Sequence, residues 1–174
     1  SDYSPGQITI QAVSISIVID TDGSISYGSV DLNSSTSTLP TAIDDVETFR
    51  NNGNVAEKFS IKTSNAVGGT QWTVGATADS DVFVHSFTTT TSPTWQILDT
   101  VDTYEVASSS VAVNGTLDFY MKIDMPTAST DYQEKTITIT VFAEQAETCG
   151  GAEWGGYCWY KGEANQTCET VCST

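Results

Sequence analysis

Residues 8–20 read ITIQAVSISIVID and form the longest near-continuous β-type run of the chain. Apolar residues alternate along the run, but the alternation changes parity. The even-numbered set is Ile8, Ile10 and Ala12, and an odd-numbered set begins at Val13 and ends at Ile19. Side chains of a strand point to opposite faces in turn, so one straight strand cannot bury both sets. At roughly 3.3 Å per residue the run spans about 40 Å, twice the length of an ordinary strand. We therefore expect two strands that meet near Ala12.

The chain has 174 residues, which suits one domain with a small appendage. We expect an N-terminal extended segment over residues 1–12, available as a donor strand, and a β-sandwich over residues 13–146. A short Cys-rich tail over residues 147–174 completes the predicted organisation.

The charge balance is strongly acidic, with 6 Lys and Arg against 22 Asp and Glu and a formal net charge of -16. Nucleic acids and anionic membranes are bound mainly through Lys and Arg, so this composition argues against both as partners. The chain begins with a serine and has no apolar run of membrane-spanning length. We expect a mature or trimmed secreted chain, placed outside the cell or at its surface and not inserted in a membrane.

Short alternating runs separated by Gly, Pro, Asn and Asp turns indicate an all-β, antiparallel, jelly-roll-like sandwich. The clearest strands contain Phe59 and Ile61, the series from Leu117 to Ile123, and the segment Gln133–Ala143. Val82–Phe87 is apolar on both faces, which predicts a central strand. No helix of full length is expected.

Other segments carry weaker patterns. We expect Asp22-Gly23 to form a tight hairpin turn, although Asp20–Ser24 also has a partial likeness to a calcium loop. Ser24–Leu32 is interpreted as the returning strand, with a bulge at Gly28, and Asn33–Thr41 as a loop. Ala42–Phe49 fits either a helix turn or the start of a strand. Residues 72–76 are expected to form a further strand.

All four cysteines lie in the tail, at Cys149, Cys158, Cys168 and Cys172. In a chain that is expected to be secreted, this clustering predicts two disulfides, for which three connectivities are possible. Adjacent pairing would give two isolated loops, so an interlaced arrangement of Cys149–Cys168 with Cys158–Cys172 is favoured. A zinc site is the alternative, but no histidine is near and no Cys-x-x-Cys pair occurs. We therefore expect no metal and no cofactor.

Aromatic residues are concentrated in the same tail. They either build the core of a disulfide-held module or stack on sugar rings, and the members are Trp154, Tyr157, Trp159 and Tyr160. Three N-glycosylation sequons begin at Asn33, Asn114 and Asn165, and they are candidate modification sites.

The sequence contains no recognisable catalytic machinery. The single histidine, His85, lies inside the apolar run Val82–Phe87, where a structural role is typical. Carboxylate pairs such as Asp44-Asp45 and Asp79 with Asp81 fall at predicted turns, where solvated acids are common. Neither a Gly-rich phosphate loop nor a His-Glu-x-x-His motif is present. We predict that the chain is not an enzyme.

Three short motifs resemble the secreted fibre proteins of the TasA/camelysin type and the related archaeal bundling pili. They are Gly28-Ser-Val-Asp-Leu32, Phe49-Arg-Asn-Asn-Gly-Asn-Val55 and Phe59-Ser-Ile61, within a region that covers about residues 8–74. The resemblance implies a jelly-roll-like subunit that polymerises by lending its N-terminal strand to a neighbour. The Cys-rich tail lies outside the resemblance.

Two functions follow as predictions. The first is a structural subunit of an extracellular filament, a homopolymer in which Ile8, Ile10 and Ala12 enter the next subunit. The second is a secreted module that binds carbohydrate or a surface partner through the aromatic tail.

Overall fold

The computed structural model describes residues 12–147 and, for two further short strands, the backbone alone. Described residues contain no helix, so the prediction of an all-β chain is confirmed. The strands are β1 (Ile17–Ile19), β2 (Ser35–Ser37), β3 (Glu47–Asn51), β4 (Glu57–Thr63), β5 (Thr73–Val74), β6 (Val82–Thr88), β7 (Gln96–Ile97), β8 (Glu105–Val111), β9 (Thr116–Asp124), β10 (Ile139–Gln145), β11 (Ala152–Trp154) and β12 (Tyr157–Trp159).

Strands β1 to β10 form two sheets. The larger has the order β1-β3-β9-β6-β5, with β2 also on β9 and β7 on β6. The smaller has the order β10-β4-β8 and is antiparallel throughout. The larger sheet is mixed, because β5 and β6 run parallel, and the prediction of purely antiparallel pairing is wrong there. We call the two sheets together the two-sheet body; its layering is sandwich-like.

The first hydrophobic cluster joins the two sheets. Phe59 and Ile61 of β4 are fully buried, and they pack with Phe119 and Met121 of β9 and with Phe87 of β6. The neighbours of Ile61 along β4 include the half-buried Lys62, as period-two alternation requires. The predicted core strands β4 and β9 are confirmed.

Strand β6 was predicted to be central because it is apolar on both faces. It pairs with β9 along one edge and with β5 and β7 along the other, and residues 83–88 are all buried. Its Phe83 joins a second cluster with Ala66, Trp72 and Ile123 at one end of the body.

The N-terminal run makes a shorter strand than predicted. Only Ile17–Ile19 pairs as β1, antiparallel to β3, and of the expected face only Ile17 packs on the core. Val13, Ile15 and Ile19 are 59%, 39% and 44% exposed, so the predicted buried odd-numbered face is wrong for them.

Side-chain and backbone hydrogen bonds together hold the chain before β1. The Ser14 amide donates to Asn54 Oδ1 (2.8 Å), and the Ser16 amide donates to Glu57 Oε1 (2.8 Å). The Asn52 and Asn54 amides also donate to the Ser16 and Ser14 carbonyls (2.7 and 3.1 Å), so the β3–β4 connection holds the extended chain through its backbone as well as its side chains.

The predicted hairpin at Asp22-Gly23 is not formed, because β1 pairs with β3 and not with the segment that follows it. The predicted strand Ser24–Leu32 is also absent. The next strand is β2, inside the expected loop Asn33–Thr41, where Ser35–Ser37 pair with the end of β9. For Ala42–Phe49 the strand alternative is correct, and it appears as β3.

Two later strands are shorter than predicted. Residues 72–76 contribute only β5, while Trp72 bridges to Ala66. In Gln133–Ala143 the strand begins at Ile139, and the preceding residues contribute only the isolated bridge between Thr136 and Val67.

Candidate functional site

A cavity of about 1010 Å³ lies along one side of the two-sheet body. One wall is the segment that follows β1, residues 23–32, and the other is the chain that leads into β10, residues 132–141. We call this space the side cavity. Protein interiors normally contain few voids larger than a water molecule, so a space of this size is a distinct feature of the fold.

The floor of the side cavity is the hydrophobic core itself. Ile61, Phe119 and Met121 of the first cluster line it, and so do Trp72 and Ile123 of the second. The cavity therefore contacts both clusters; its floor is apolar, and its lining also includes polar side chains such as Glu47, His85 and Lys135.

The first wall has no strand partner. Within the described chain, residues 21–32 make no backbone–backbone hydrogen bond, while Ile25 and Tyr27 pack on the core. Side chains hold the segment in place. The Ser26 amide donates to Asp45 Oδ2 (3.1 Å), and the Thr21 hydroxyl and the Gly23 amide donate to Glu47.

His85 connects this wall to both sheets. It is fully buried on β6, with Nδ1 2.8 Å from Thr63 Oγ1 of β4 and Nε2 3.2 Å from the Tyr27 hydroxyl. Burial lowers the pKa of His85 to about 4, so the ring is neutral at physiological pH. A neutral imidazole donates at one nitrogen and accepts at the other, which suits two hydroxyl partners. Burial raises the pKa of Tyr27, and the charge of Asp45 adds to that effect.

The second wall is fixed by a polar clamp at the mouth of the cavity. Lys135 Nζ donates to Asp131 Oδ1 (2.6 Å) and to the Thr70 carbonyl (2.7 Å), and it lies 5.1 Å from the centre of the Trp72 ring. The Lys135 hydrogen bond and the Thr70 amide hold the pKa of the Asp131 carboxyl well below its usual range. Beyond the clamp, β10 pairs with β4 along one edge, and no described strand occupies its other edge.

Only one of the three predicted polymerisation residues is among the described residues. Ala12 is exposed, and its carbonyl accepts from Asn54 Nδ2 (2.7 Å). Ile8 and Ile10 lie outside the described part. The Ala12 contact lies at the end of the body where β3 passes to β4.

The side cavity extends to the other end. Strand β10 sets Gln145 opposite Glu57, near Asn54, and Ile139 opposite Thr63. Residues 132–137, which precede Ile139 and line the cavity, therefore lie at the end of the body away from Ala12.

The predicted tail sites lie almost entirely outside the described residues. This applies to the side chains of Cys149, Cys158, Cys168, Cys172, Trp154, Tyr157, Trp159, Tyr160 and Asn165. The backbone of β11 and β12 forms an antiparallel pair with Trp154 opposite Tyr157 and Ala152 opposite Trp159.

The two remaining sequons lie in exposed turns. Asn33 and Asn114 have positive φ angles of 57° and 61°, a backbone conformation that Asn tolerates better than most residues.

Carboxylates of the described chain are used locally. Asp20 forms an ion pair with Arg50 (2.7 Å), and Asp81 accepts from the Ser129 hydroxyl and the Thr130 amide. Among residues 12–147, no group of three or more His, Cys, Asp or Glu side chains could hold a metal ion. No helix in the described part is long and apolar enough to cross a membrane.

Comparison with known proteins gives no match to a family model, a curated protein or a solved structure.

Sequence reasoning missed the side cavity and the residues that frame it. The alternation of Ile25 and Tyr27 predicted a strand, and the observed segment has the side-chain contacts of a strand without a backbone partner. The i,i+4 spacing of Asp131 and Lys135 was the available signal for the clamp.

Proposed function

We propose that the chain is the structural subunit of an extracellular filament or cell-surface fibre. Each subunit lends its N-terminal strand, with Ile8, Ile10 and Ala12, to the side cavity of the next. The observation that carries the proposal is the side cavity, a space with an apolar floor that opens along one side of the body.

The size of the cavity suits a strand. Strands lie about 4.8 Å apart, sheets about 10 Å apart, and each residue advances about 3.3 Å, so one strand residue fills roughly 160 Å³ of a two-layer body. The volume of about 1010 Å³ therefore corresponds to roughly six residues of an added strand. Ile8–Ala12 is five residues long.

The positions of the two parts favour a neighbouring subunit over the same chain as acceptor. Ala12 lies at one end of the body, and the cavity extends to the opposite end. A contact that joins one end of a subunit to the other end of the next is head-to-tail, and such contacts produce open filaments when the rotation does not close.

Strand addition of this kind uses main-chain hydrogen bonds for affinity and side-chain pockets for specificity. Burial of Ile8 and Ile10 would contribute roughly 1.5–3 kcal/mol each. An added strand would also cover the edge of β10 that no described strand occupies, and exposed strand edges invite non-specific pairing.

The composition supports an extracellular setting. All four cysteines lie in one short tail, which we expect to be stapled by two disulfides, and Lys and Arg total only 6. The jelly-roll-like architecture and the likeness to TasA/camelysin fibre proteins belong to the same proposal.

Electron microscopy of the full chain tests the proposal. The wild-type protein should form filaments, and the double variant Ile8→Asp, Ile10→Asp should remain as soluble subunits. The control is the double variant Gln7→Asp, Thr9→Asp, which adds the same two charges at the interleaved positions. It should still form filaments, because alternate side chains of an added strand point away from the core.

Filaments of normal appearance from the Ile8→Asp, Ile10→Asp protein would contradict strand donation. Failure of the wild-type protein to form filaments under any salt condition would reject the filament proposal altogether.

A second candidate function rests on the backbone of β11 and β12. These two strands form an antiparallel backbone pair in the tail that carries Trp154, Tyr157, Trp159 and Tyr160, and aromatic residues of this kind are suited to stacking on sugar rings. If this function is correct, Trp159→Ala should abolish glycan binding and leave the circular dichroism spectrum unchanged.

A further inference from the structure

The first wall of the side cavity has the sequence pattern of a strand without its hydrogen bonds. Ile25 and Tyr27 have one parity and Val30 and Leu32 the other. Ile25, Tyr27 and Leu32 pack on the two core clusters. Within the described chain, the backbone of residues 21–32 makes no hydrogen bond to any other backbone group.

The exposed positions of this segment, which are Ser24, Ser26, Gly28, Ser29 and Asp31, leave their backbone groups open to water. Most N–H and C=O groups that are removed from water find partners in a ladder, a turn or an ordered water. Here the side chains are placed as in a strand, while the backbone has no ladder within the described chain; the Ser24 and Ser26 amides and the Asp31 carbonyl bond to side chains instead.

We propose that residues 24–32 are the receiving edge for the N-terminal strand of a second copy of this chain, and that they change from coil to strand when that strand pairs with them. The inference rests on the proposed function and identifies the surface that carries it out. The incoming segment lies between residues 24–32 and the free edge of β10.

The turn geometry at Gly28 agrees with a bulged strand. Its φ is 65°, in the left-handed region, and a Cβ built there would meet no atom within 4 Å. A glycine with positive φ is the first residue of a common class of β-bulge, in which one extra residue shifts the parity of the strand. The parity of the apolar residues changes at this position, between Tyr27 and Val30.

Side chains hold the receiving edge in position before the partner arrives. Tyr27 is fixed by His85, and the Ser26 amide is fixed by Asp45. Amides in an extended segment point to opposite sides in turn, so with the Ser26 amide engaged, those of Ile25 and Tyr27 point the other way. This alternation leaves one side of the segment open for an added strand.

The composition of the incoming segment fits the cavity. Residues 3–19 contain no Asp, Glu, Lys or Arg, although the whole chain carries a formal net charge of -16. An uncharged strand adds no electrostatic repulsion between acidic subunits. Its burial also avoids the free-energy cost of removing a charged side chain from water. Ile8 and Ile10 would face the apolar floor, and the polar Gln7 and Thr9 would face away, while Ala12 stays on its own body through Asn54.

Hydrogen–deuterium exchange of the full chain, read by mass spectrometry, tests the inference. Peptides that cover residues 24–32 should exchange within seconds in unassembled subunits and at least about a hundredfold more slowly in filaments, because a ladder then protects their amides. Peptides of β4 should be protected in both states, and the exposed loop over residues 89–94 should exchange rapidly in both. The Ile8→Asp, Ile10→Asp protein should keep the rapid exchange of the subunit.

The outcomes separate this inference from the proposed function. Filaments in which residues 24–32 still exchange rapidly would overturn the receiving edge and leave strand donation standing. Protection of these residues already in the unassembled subunit would overturn it as well. Absence of filaments would reject the proposed function, and the receiving edge with it.

Discussion

The two sides of the body differ in how their interiors are completed. On the closed side, β4 faces β9 and β6, Phe59 is fully buried, and the backbone is paired in regular ladders. On the open side, residues 23–32 face the chain that leads into β10, and the side cavity lies between them. Both sides use the same core, because Ile61 and Met121 belong to the first cluster and also line the cavity.

The difference between the two sides lies in how closely the side chains pack and how far the backbone is paired. On the closed side β4 is paired on both edges, with β10 and β8, and its buried side chains pack directly on the larger sheet. On the open side apolar side chains are gathered around a space, and the adjoining backbone is held by side chains such as Asp45, Glu47 and His85. This is the arrangement expected of a body that lacks one strand.

The largest expected effect on the free energy of unfolding comes from shortening one apolar side chain to alanine, first on the closed side and then on the open side. Phe59→Ala should lower the free energy of unfolding by about 3–5 kcal/mol, because a fully buried ring leaves a cavity that the surroundings cannot fill. Ile25→Ala should cost only about 1 kcal/mol, since a half-buried side chain beside an existing cavity loses less contact. Urea unfolding with an unchanged m-value measures both. Equal losses would contradict the division into closed and open sides.

The next effect concerns His85, which joins the two sides. Its pKa is lowered from 6.5 to about 4 by burial, so the unfolded chain takes up this proton at higher pH than the folded chain. Stability should therefore be complete above pH 6.5 and fall as the pH drops towards 4, by about 1.4 kcal/mol per pH unit and roughly 3 kcal/mol in total.

The variant His85→Gln keeps hydrogen-bonding groups but does not titrate, so it isolates this contribution from that of the carboxylates. The difference in unfolding free energy between wild type and variant should shrink steadily between pH 6.5 and 4. Two profiles that run parallel over this interval would show that the ring is not buried as described.

The smallest effect concerns the clamp at the mouth of the cavity. Lys135→Met keeps a side chain of similar length but removes the hydrogen bonds to Asp131 and Thr70 and the charge over the Trp72 ring. The midpoint of thermal unfolding should fall by roughly 2–4 °C. Lys58→Met, which removes the exposed pair with Glu144 on the closed side, is the matched control and should change the midpoint by less than about 1 °C. The reverse order of effects would argue that the mouth is not held by this clamp.

The sequence predicts the closed side better than the open side, for a physical reason. Burial stabilises β4, β6 and β9, and their sequences show which side chains are buried. Apolar residues alternate in β4 and β9, and they occupy both faces of β6. The strand predicted at Ser24–Leu32 fails because alternation records which side chains are buried and not whether a backbone partner is present. Strand β2 was missed because Ser35–Ser37 carry no apolar signal and owe their pairing to the end of β9.

The candidate site was predictable only in part. The apolar parity changes near Ala12, so residues 8–12 cannot belong to the same straight strand as residues 13–19. Their donation to another subunit remains a prediction for Ile8 and Ile10. The side cavity could not be foreseen, because a space is defined by the packing of distant segments such as residues 23–32 and 132–141. Asp131 and Lys135 are close in sequence, but their contacts with Thr70 and Trp72 depend on the tertiary fold.

The most direct test of strand donation is a photo-crosslink between labelled subunits. A diazirine analogue of leucine is placed at position 10, and filaments are assembled from a mixture of ¹⁴N and ¹⁵N chains before irradiation and mass spectrometry. The account predicts crosslinks of mixed isotope that join position 10 of one chain to residues 24–32 or 136–141 of another. Crosslinks confined to a single chain, or mixed crosslinks that fall outside the side cavity, would contradict it.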